Sequence, residues 1–246
     1  MGEEGGGDPG VANDEAGKAY LVSGLEVQLT ADLGSLDLEL DAAYSFIGDV
    51  GDALGSPSFS AVGDIDGDDK SDFVVESVST GQSCIFLSTT VETLSPGQGA
   101  ASTFAFSEAD LCVSAFDSTT SSTDALALAR GDVDGDGLDD WIFGASGMGS
   151  GGVTGEVYLV DSATISPATM SPLFVNLGGT SDAIFRGDPG SGSDLGSFTF
   201  LGARVASLGD LNNDGKDDFI ATGPVKRLRD NSTPETNGKV YIVLSQ

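Results

Sequence analysis

Histidine is absent from the 246 residues. That absence excludes Ser-His-Asp and Cys-His catalysis, His-ligated zinc, and phosphodiester chemistry that needs a histidine nucleophile. Basic residues are scarce as well. Ten Lys and Arg face 39 Asp and Glu, for a formal net charge of −29. Such a surface repels nucleic-acid phosphates and anionic membrane, so neither is an expected partner, and it attracts divalent cations. Part of the excess acidity is ascribed simply to solubility, as in a secreted or halotolerant protein. No run approaches the ~20 apolar residues of a membrane span, so direct membrane insertion is not expected. The opening Met1-Gly-Glu-Glu-Gly-Gly-Gly is acidic and polar, unlike a signal peptide. Aromatics are few at 7%, whereas glycine numbers 36, a balance that suits many short strands joined by tight turns.

Internal repetition is the main positive signal. Three stretches share one pattern: Gly63-Asp-Ile-Asp-Gly-Asp-Asp-Lys-Ser-Asp-Phe-Val-Val, Gly131-Asp-Val-Asp-Gly-Asp-Gly-Leu-Asp-Asp-Trp-Ile-Phe and Gly209-Asp-Leu-Asn-Asn-Asp-Gly-Lys-Asp-Asp-Phe-Ile-Ala. Their first aspartates, Asp64, Asp132 and Asp210, are 68 and then 78 residues apart, room for one four-stranded sheet each. Strand-like runs precede the loops (Ser58–Val62, Ala125–Ala129, Gly202–Ala206) and follow them (Phe73–Val75, Trp141–Phe143, Phe219–Ala221). A third strand is expected from Cys84, Gly155 and Gly238, and a fourth at Leu111–Phe116 and Ala183–Arg186. No window carries a sustained helical apolar period, so the fold class is all-β. Gly17-Lys-Ala-Tyr-Leu-Val repeats the third strand, Gly238-Lys-Val-Tyr-Ile-Val. Counting back from it places a further loop at or before residue 1, so the chain is expected to start inside a repeat. The resulting organisation is an incomplete outer blade at 1–42 and three blades at 43–112, 113–182 and 183–246.

The spacing Asp-x-Asp-x-Asp-x-x-x-Asp carries the chemistry. Calcium takes six to eight oxygens, and alternate carboxylates on a tight loop can converge on it with a backbone carbonyl at the seventh position. The expected ligands are Asp64, Asp66, Asp68, Asp72 and the Lys70 carbonyl; Asp132, Asp134, Asp136, Asp140 and the Leu138 carbonyl; and Asp210, Asn212, Asp214, Asp218 and the Lys216 carbonyl. About three Ca²⁺ ions follow. Asp69 stands where the other loops have Gly137 and Gly215, which implies a more strained turn. An EF-hand would need a Glu at position twelve, but Val75, Phe143 and Ala221 occupy it within strand-like runs.

Phe200-Leu-Gly-Ala-Arg-Val-Ala-Ser-Leu-Gly-Asp, Asp217-Asp-Phe-Ile-Ala-Thr-Gly-Pro and Gly238-Lys-Val-Tyr-Ile-Val together resemble the FG-GAP repeat of integrin α-subunit propellers. Glycosylphosphatidylinositol-specific phospholipase D and many bacterial surface proteins share that repeat. The resemblance implies a β-propeller of four-stranded blades, here a partial array, with calcium loops between first and second strands. It implies a non-catalytic, extracellular or cell-surface module for adhesion, with a protein or glycan ligand on the propeller loops and association through open blade edges. The alternatives are an accessory domain of a secreted hydrolase or lyase and a structural unit of a surface filament.

Cys84 and Cys112 fall on the expected third and fourth strands of one blade, where neighbouring strands bring them within bridging distance; a disulfide is expected. Two Arg-Gly-Asp triplets occur. Arg130-Gly131-Asp132 conflicts with the ligand role of Asp132, and Arg186-Gly187-Asp188 lies in a Gly/Ser-rich loop. Asn231-Ser-Thr is a glycosylation sequon wherever the host glycosylates.

Overall fold

A computed structural model describes residues 2–3, 17–22, 44–47, 54–77, 82–93, 102–105, 108–114, 126–146, 155–165, 173–187, 197–227 and 238–246. The chain is all-β, with its strands in five separate sheets, and no closed propeller is seen among the described residues. It divides into two compact units, Met1–Cys112 with Ser171–Phe174, and Val113–Met170 with Val175–Gln246. The Asn231 sequon, Asp188 of the second Arg-Gly-Asp triplet and the Gly/Ser stretch from Gly147 to Gly152 lie outside the described residues.

In the first unit, strands β1 (Gly2–Glu3), β2 (Lys18–Leu21) and β3 (Tyr44–Ile47) are joined by β7 (Ser102–Ala105) in one sheet. β2 pairs antiparallel with β1 and β3, but β7 lies parallel to β3, a pairing the repeat pattern does not contain. The second sheet follows the expected order. Strands β4 (Leu54–Gly63), β5 (Asp72–Ser77) and β6 (Gln82–Phe86) form an antiparallel meander, and β8 (Leu111–Ser114) adjoins β6. A fifth strand, β12 (Leu173–Asn176), extends this sheet beyond β8. Helix α1 (Ser88–Thr93) follows β6 directly. Six residues are too few to display an apolar period in the sequence.

The two sheets of this unit bury a shared core. Ala19 and Phe46 lie against Val75, Cys84 and Phe86, with Phe73 packed at the margin. Phe46 meets Phe73 and Phe86 edge-on at 5.2 and 5.0 Å, an arrangement favoured by the ring quadrupoles. Cys84 and Cys112 are disulfide-bonded between the neighbouring strands β6 and β8. At a sequence separation of 28, the chain-entropy model puts their contribution at about 3–4 kcal/mol. Cys112→Ser is therefore expected to lower stability by that amount, read as the shift in urea midpoint relative to the oxidised parent.

In the second unit, β9 (Ala127–Gly131), β10 (Asp140–Ala145), β11 (Glu156–Val160) and β13 (Ala183–Arg186) form a fully antiparallel four-stranded meander. Ala183–Arg186 is thus the fourth strand of the sheet carrying the second acidic loop, so that sheet runs on past residue 182. Helix α2 (Leu177–Thr180) precedes it, and β14 (Ser197–Thr199) pairs with β17 (Val225–Arg227) as a two-stranded ribbon. The last sheet contains β15 (Arg204–Gly209), β16 (Asp218–Gly223) and β18 (Lys239–Val243). The expected strand from Gly202 begins two residues later, because Gly202 and Ala203 form the turn that enters it.

These two sheets also pack on each other, through Ile142 and Val157 on one side and Phe219 and Ala221 on the other, with Leu201 and Val133 completing the core. Near Gly202 the backbones nearly touch. A Cβ on Gly202 would lie 2.4 Å from the Glu156 carbonyl oxygen and 2.7 Å from the Ala145 nitrogen. A Cβ on Gly144 would lie 2.2 Å from the Gly202 carbonyl oxygen.

Candidate metal centres

Each acidic loop connects the first and second strands of its sheet: β4 to β5, β9 to β10 and β15 to β16. The loops share one hydrogen-bonded conformation, which follows from placing short carboxylates at alternate positions. Aspartate side chains readily accept from backbone N–H groups a few residues ahead, fixing local turns. At position one, Asp64 accepts from Gly67, Asp68 and Asp69. Asp132 accepts likewise from Gly135 and Gly137, and Asp210 from Asp214 and Gly215. At position three, Asp66, Asp134 and Asn212 each accept from the residue two ahead. At position five, Asp68, Asp136 and Asp214 do the same. The nested turns force the sixth residue into the left-handed region, with φ of 66° at Asp69, 92° at Gly137 and 89° at Gly215. Glycine adopts that conformation freely, whereas Asp does so at some cost. Asp69→Gly is expected to raise stability by about 0.5–1 kcal/mol, read as a higher urea midpoint.

The ninth position is different in kind. Asp72, Asp140 and Asp218 open the second strand and are buried. One oxygen of each accepts from the loop's second residue: Ile65 at 2.7 Å, Val133 at 3.0 Å and Leu211 at 2.9 Å. The other oxygen accepts from the residue just past the third strand: Ser88 at 2.8 Å, Ser162 at 3.0 Å and Ser245 at 2.9 Å. This aspartate therefore pins the loop to the far end of the sheet. The spacing pattern identifies the carboxylate but not its serine partners, although a Ser ends the third-strand segment in all three repeats.

Burial pushes the carboxyls of Asp72 and Asp140 above the usual range, against the pull of their backbone N–H partners. Neighbouring carboxylates add to the rise, Asp66 and Asp68 at Asp72, and Asp134 at Asp140. Both groups sit where negative charge is crowded, and a cation would relieve that crowding. Asp68 is held lower, chiefly by the Ser88 hydroxyl that donates to it at 2.7 Å.

No protein-family model matches the chain, and no curated protein matches it.

The three loops gather their carboxylates unequally. In the first, oxygens of Asp64, Asp66 and Asp72 lie within 4.8 Å of one another. In the second, two such groups share Asp134: Asp132, Asp134 and Asp136, and Asp134, Asp140 and Asp161. Oxygens opposite one another across a calcium ion at 2.3–2.6 Å stand about 5 Å apart, so both gatherings suit a hard, oxygen-loving cation. Asp161 lies outside the repeat spacing and was not among the expected ligands. Its own Oδ1 accepts from Ala163 at 2.6 Å in the turn after β11.

Among the described residues, the third loop brings no three carboxylates together. Asn212 contributes no charge there, and its Nδ2 donates to Asp214 at 2.9 Å and to the Ser245 carbonyl at 3.3 Å. Asp68, outside the first gathering, has its second oxygen on Ser88. The second and third loops lie side by side, since the Asp217 N–H donates to the Asp132 carbonyl at 2.6 Å. Arg130, of the first Arg-Gly-Asp triplet, has its guanidinium 5.0 Å from the centre of the Trp141 ring, and Gly131 is buried. That triplet is part of the sheet and its loop, not a projecting recognition loop.

Proposed function

We propose that this chain is a calcium-binding β-propeller module of the integrin-α-like, FG-GAP kind. Its ions act structurally, and it serves outside the cell in adhesion or in binding a protein or glycan. The observation that carries the reading is the repetition of one nested-turn loop at one place in three sheets. In each, oxygen donors line the loop and a buried aspartate ties it to the third strand. Sheet-on-sheet packing within each unit supports a radial arrangement of blades. The cystine joining β6 to β8 agrees with an oxidising, extracellular setting.

Calcium would be held by Asp64, Asp66 and Asp72 with Asp68 and the Lys70 carbonyl, and by Asp132, Asp134, Asp136 and Asp140 with the Leu138 carbonyl. The third site, Asp210, Asn212, Asp214, Asp218 and the Lys216 carbonyl, is the weakest of the three. A bound ion would neutralise loop carboxylates that otherwise repel, and so couple metal binding to folding. The reading assigns no catalytic residue. The test is a thermal melt of the full chain in calcium, in magnesium and in excess chelator. Calcium should raise the melting temperature by several degrees over chelator and clearly more than magnesium does. Identical melts in all three would refute a structural calcium role.

A further inference from the structure

The three sheets that carry acidic loops end their third strands in register. Phe86, Val160 and Val243 each stand opposite the residue after the buried aspartate, and a serine follows two positions on, as Ser88, Ser162 and Ser245. Between strand end and serine lie Leu87 in the first sheet and Leu244 in the last, but Asp161 in the second. The main chain is tied the same way whichever side chain it carries: the Leu87 N–H donates to Asp110 and the Asp161 N–H to Asp182, each at 2.8 Å. The second loop thus meets one more carboxylate, supplied by the sheet and not by the loop's own spacing.

The hydroxyls around the loops change in step. In the first sheet, Ser88 donates to Asp68 at 2.7 Å and Thr89 to Asp66 at 2.8 Å, so two loop carboxylates have neutral donors. In the last sheet, the Ser245 hydroxyl donates to the Asp217 carbonyl at 2.7 Å. In both, the serine at this position turns its hydroxyl onto the acidic loop. Ser162 holds the same place, with its N–H on Asp140 Oδ1 at 3.0 Å and only 8% of the residue exposed. Its Oγ is nevertheless buried without a hydrogen-bond partner. Ala163 stands in place of Thr89, and among the described residues no hydroxyl donates to Asp134 or Asp136. A buried hydroxyl left unbonded is costly. Oxygens of Asp134, Asp140 and Asp161 within 4.8 Å of one another repel. One hard cation relieves both, because calcium takes neutral and charged oxygens together.

We propose that Asp161 and the Ser162 hydroxyl are ligands of the second loop's calcium site, completing it from the end of the third strand and making it the tightest of the three. This assignment rests on the calcium reading of the loops. With Asp132, Asp134, Asp136, Asp140 and the Leu138 carbonyl, they bring the donors to seven residues, within the six to eight oxygens that calcium takes. The site then has five carboxylates, against four in the first loop and three in the third, and calcium affinity is tuned by ligand charge count.

The chain has a single tryptophan, Trp141, next to Asp140, so terbium luminescence excited through the indole reads the second loop above the others. The test titrates terbium into the metal-stripped full chain, displaces it with calcium, and follows total calcium binding by calorimetry. Asp161→Leu installs the residue of the other two sheets, and Ser162→Ala removes a hydroxyl that bonds nothing in the protein. Calcium affinity at the second loop should fall about 10–100-fold in Asp161→Leu and about tenfold in Ser162→Ala. The first loop's affinity should hold in both, and the melting temperature in chelator should not fall. Asp66→Ala should leave the terbium emission unchanged. Parent-like affinity at the second loop in either variant overturns the assignment, and calcium binding that persists there unaltered refutes it alone. Absence of calcium binding at every loop would refute the calcium reading itself.

Discussion

Asp140→Ala is expected to lower the stability of the metal-free protein by about 3–5 kcal/mol, a large share of what a domain of this kind possesses. The carboxylate accepts from the Val133, Asp134 and Ser162 N–H groups. Val133 and Ser162 are buried, so water does not readily replace the lost acceptor at either. Leaving a buried donor unsatisfied costs about 1–3 kcal/mol each. Some of that cost is returned, because the buried carboxylate is itself unfavourably placed, as the upward shift of its pKa indicates. Asp140→Asn keeps the shape but sets an amide N–H₂ against backbone donors on one side or the other, so it should recover less than half of the loss. Urea unfolding in chelator checks both variants. The contrast that isolates this role is Asp136→Ala. Asp136 accepts only from the exposed Leu138 N–H among the bonds described, and its loss should cost less than about 1 kcal/mol without metal. If the two alanine variants destabilise equally, Asp140 does not pin its loop.

Gly202→Ala should be comparably damaging for an unrelated reason. Gly202 has φ of +88°, and its would-be Cβ meets main chain at 2.4 and 2.7 Å, not the yielding end of a side chain. The left-handed backbone alone costs a side chain about 1–2 kcal/mol, and overpacking adds about 1–3 kcal/mol. A total of about 2–5 kcal/mol is expected, with the two sheets of the second unit forced apart. The control is Gly137→Ala, where φ is also positive but nothing lies within 4 Å. It should show the backbone cost alone. Equal losses at the two positions would mean that sheet-to-sheet approach at Gly202 is not tight.

The acidic loops and their flanking strands were legible because they are local. The Asp-x-Asp-x-Asp spacing fixes the nested turns through bonds spanning two to five residues, and the apolar runs beside it pair across short connections. The left-handed sixth position could be read from Gly137, Gly215 and the exceptional Asp69, and the Cys84–Cys112 bridge from their adjacent strands. Non-local pairings were not legible. Ser102–Ala105 is a four-residue strand outside the repeat pattern, yet it joins β3 in parallel, and Leu173–Asn176 joins β8 from some sixty residues away. Asp161 escaped notice because its place beside Asp134 and Asp140 comes from the β10–β11 pairing, not from the loop's own spacing. The inequality of the three loops was only half legible. Asn212 signals one lost charge, but its amide turning to the Ser245 carbonyl depends on where the chain returns.

The central claim is that these loops are calcium sites, and calorimetric titration of the metal-stripped chain with calcium tests it most directly. The account requires two tighter sites, lost one at a time in Asp66→Ala and Asp134→Ala, and a third, weaker one lost in Asp214→Ala. Absence of saturable calcium binding, or binding untouched by all three substitutions, would contradict it.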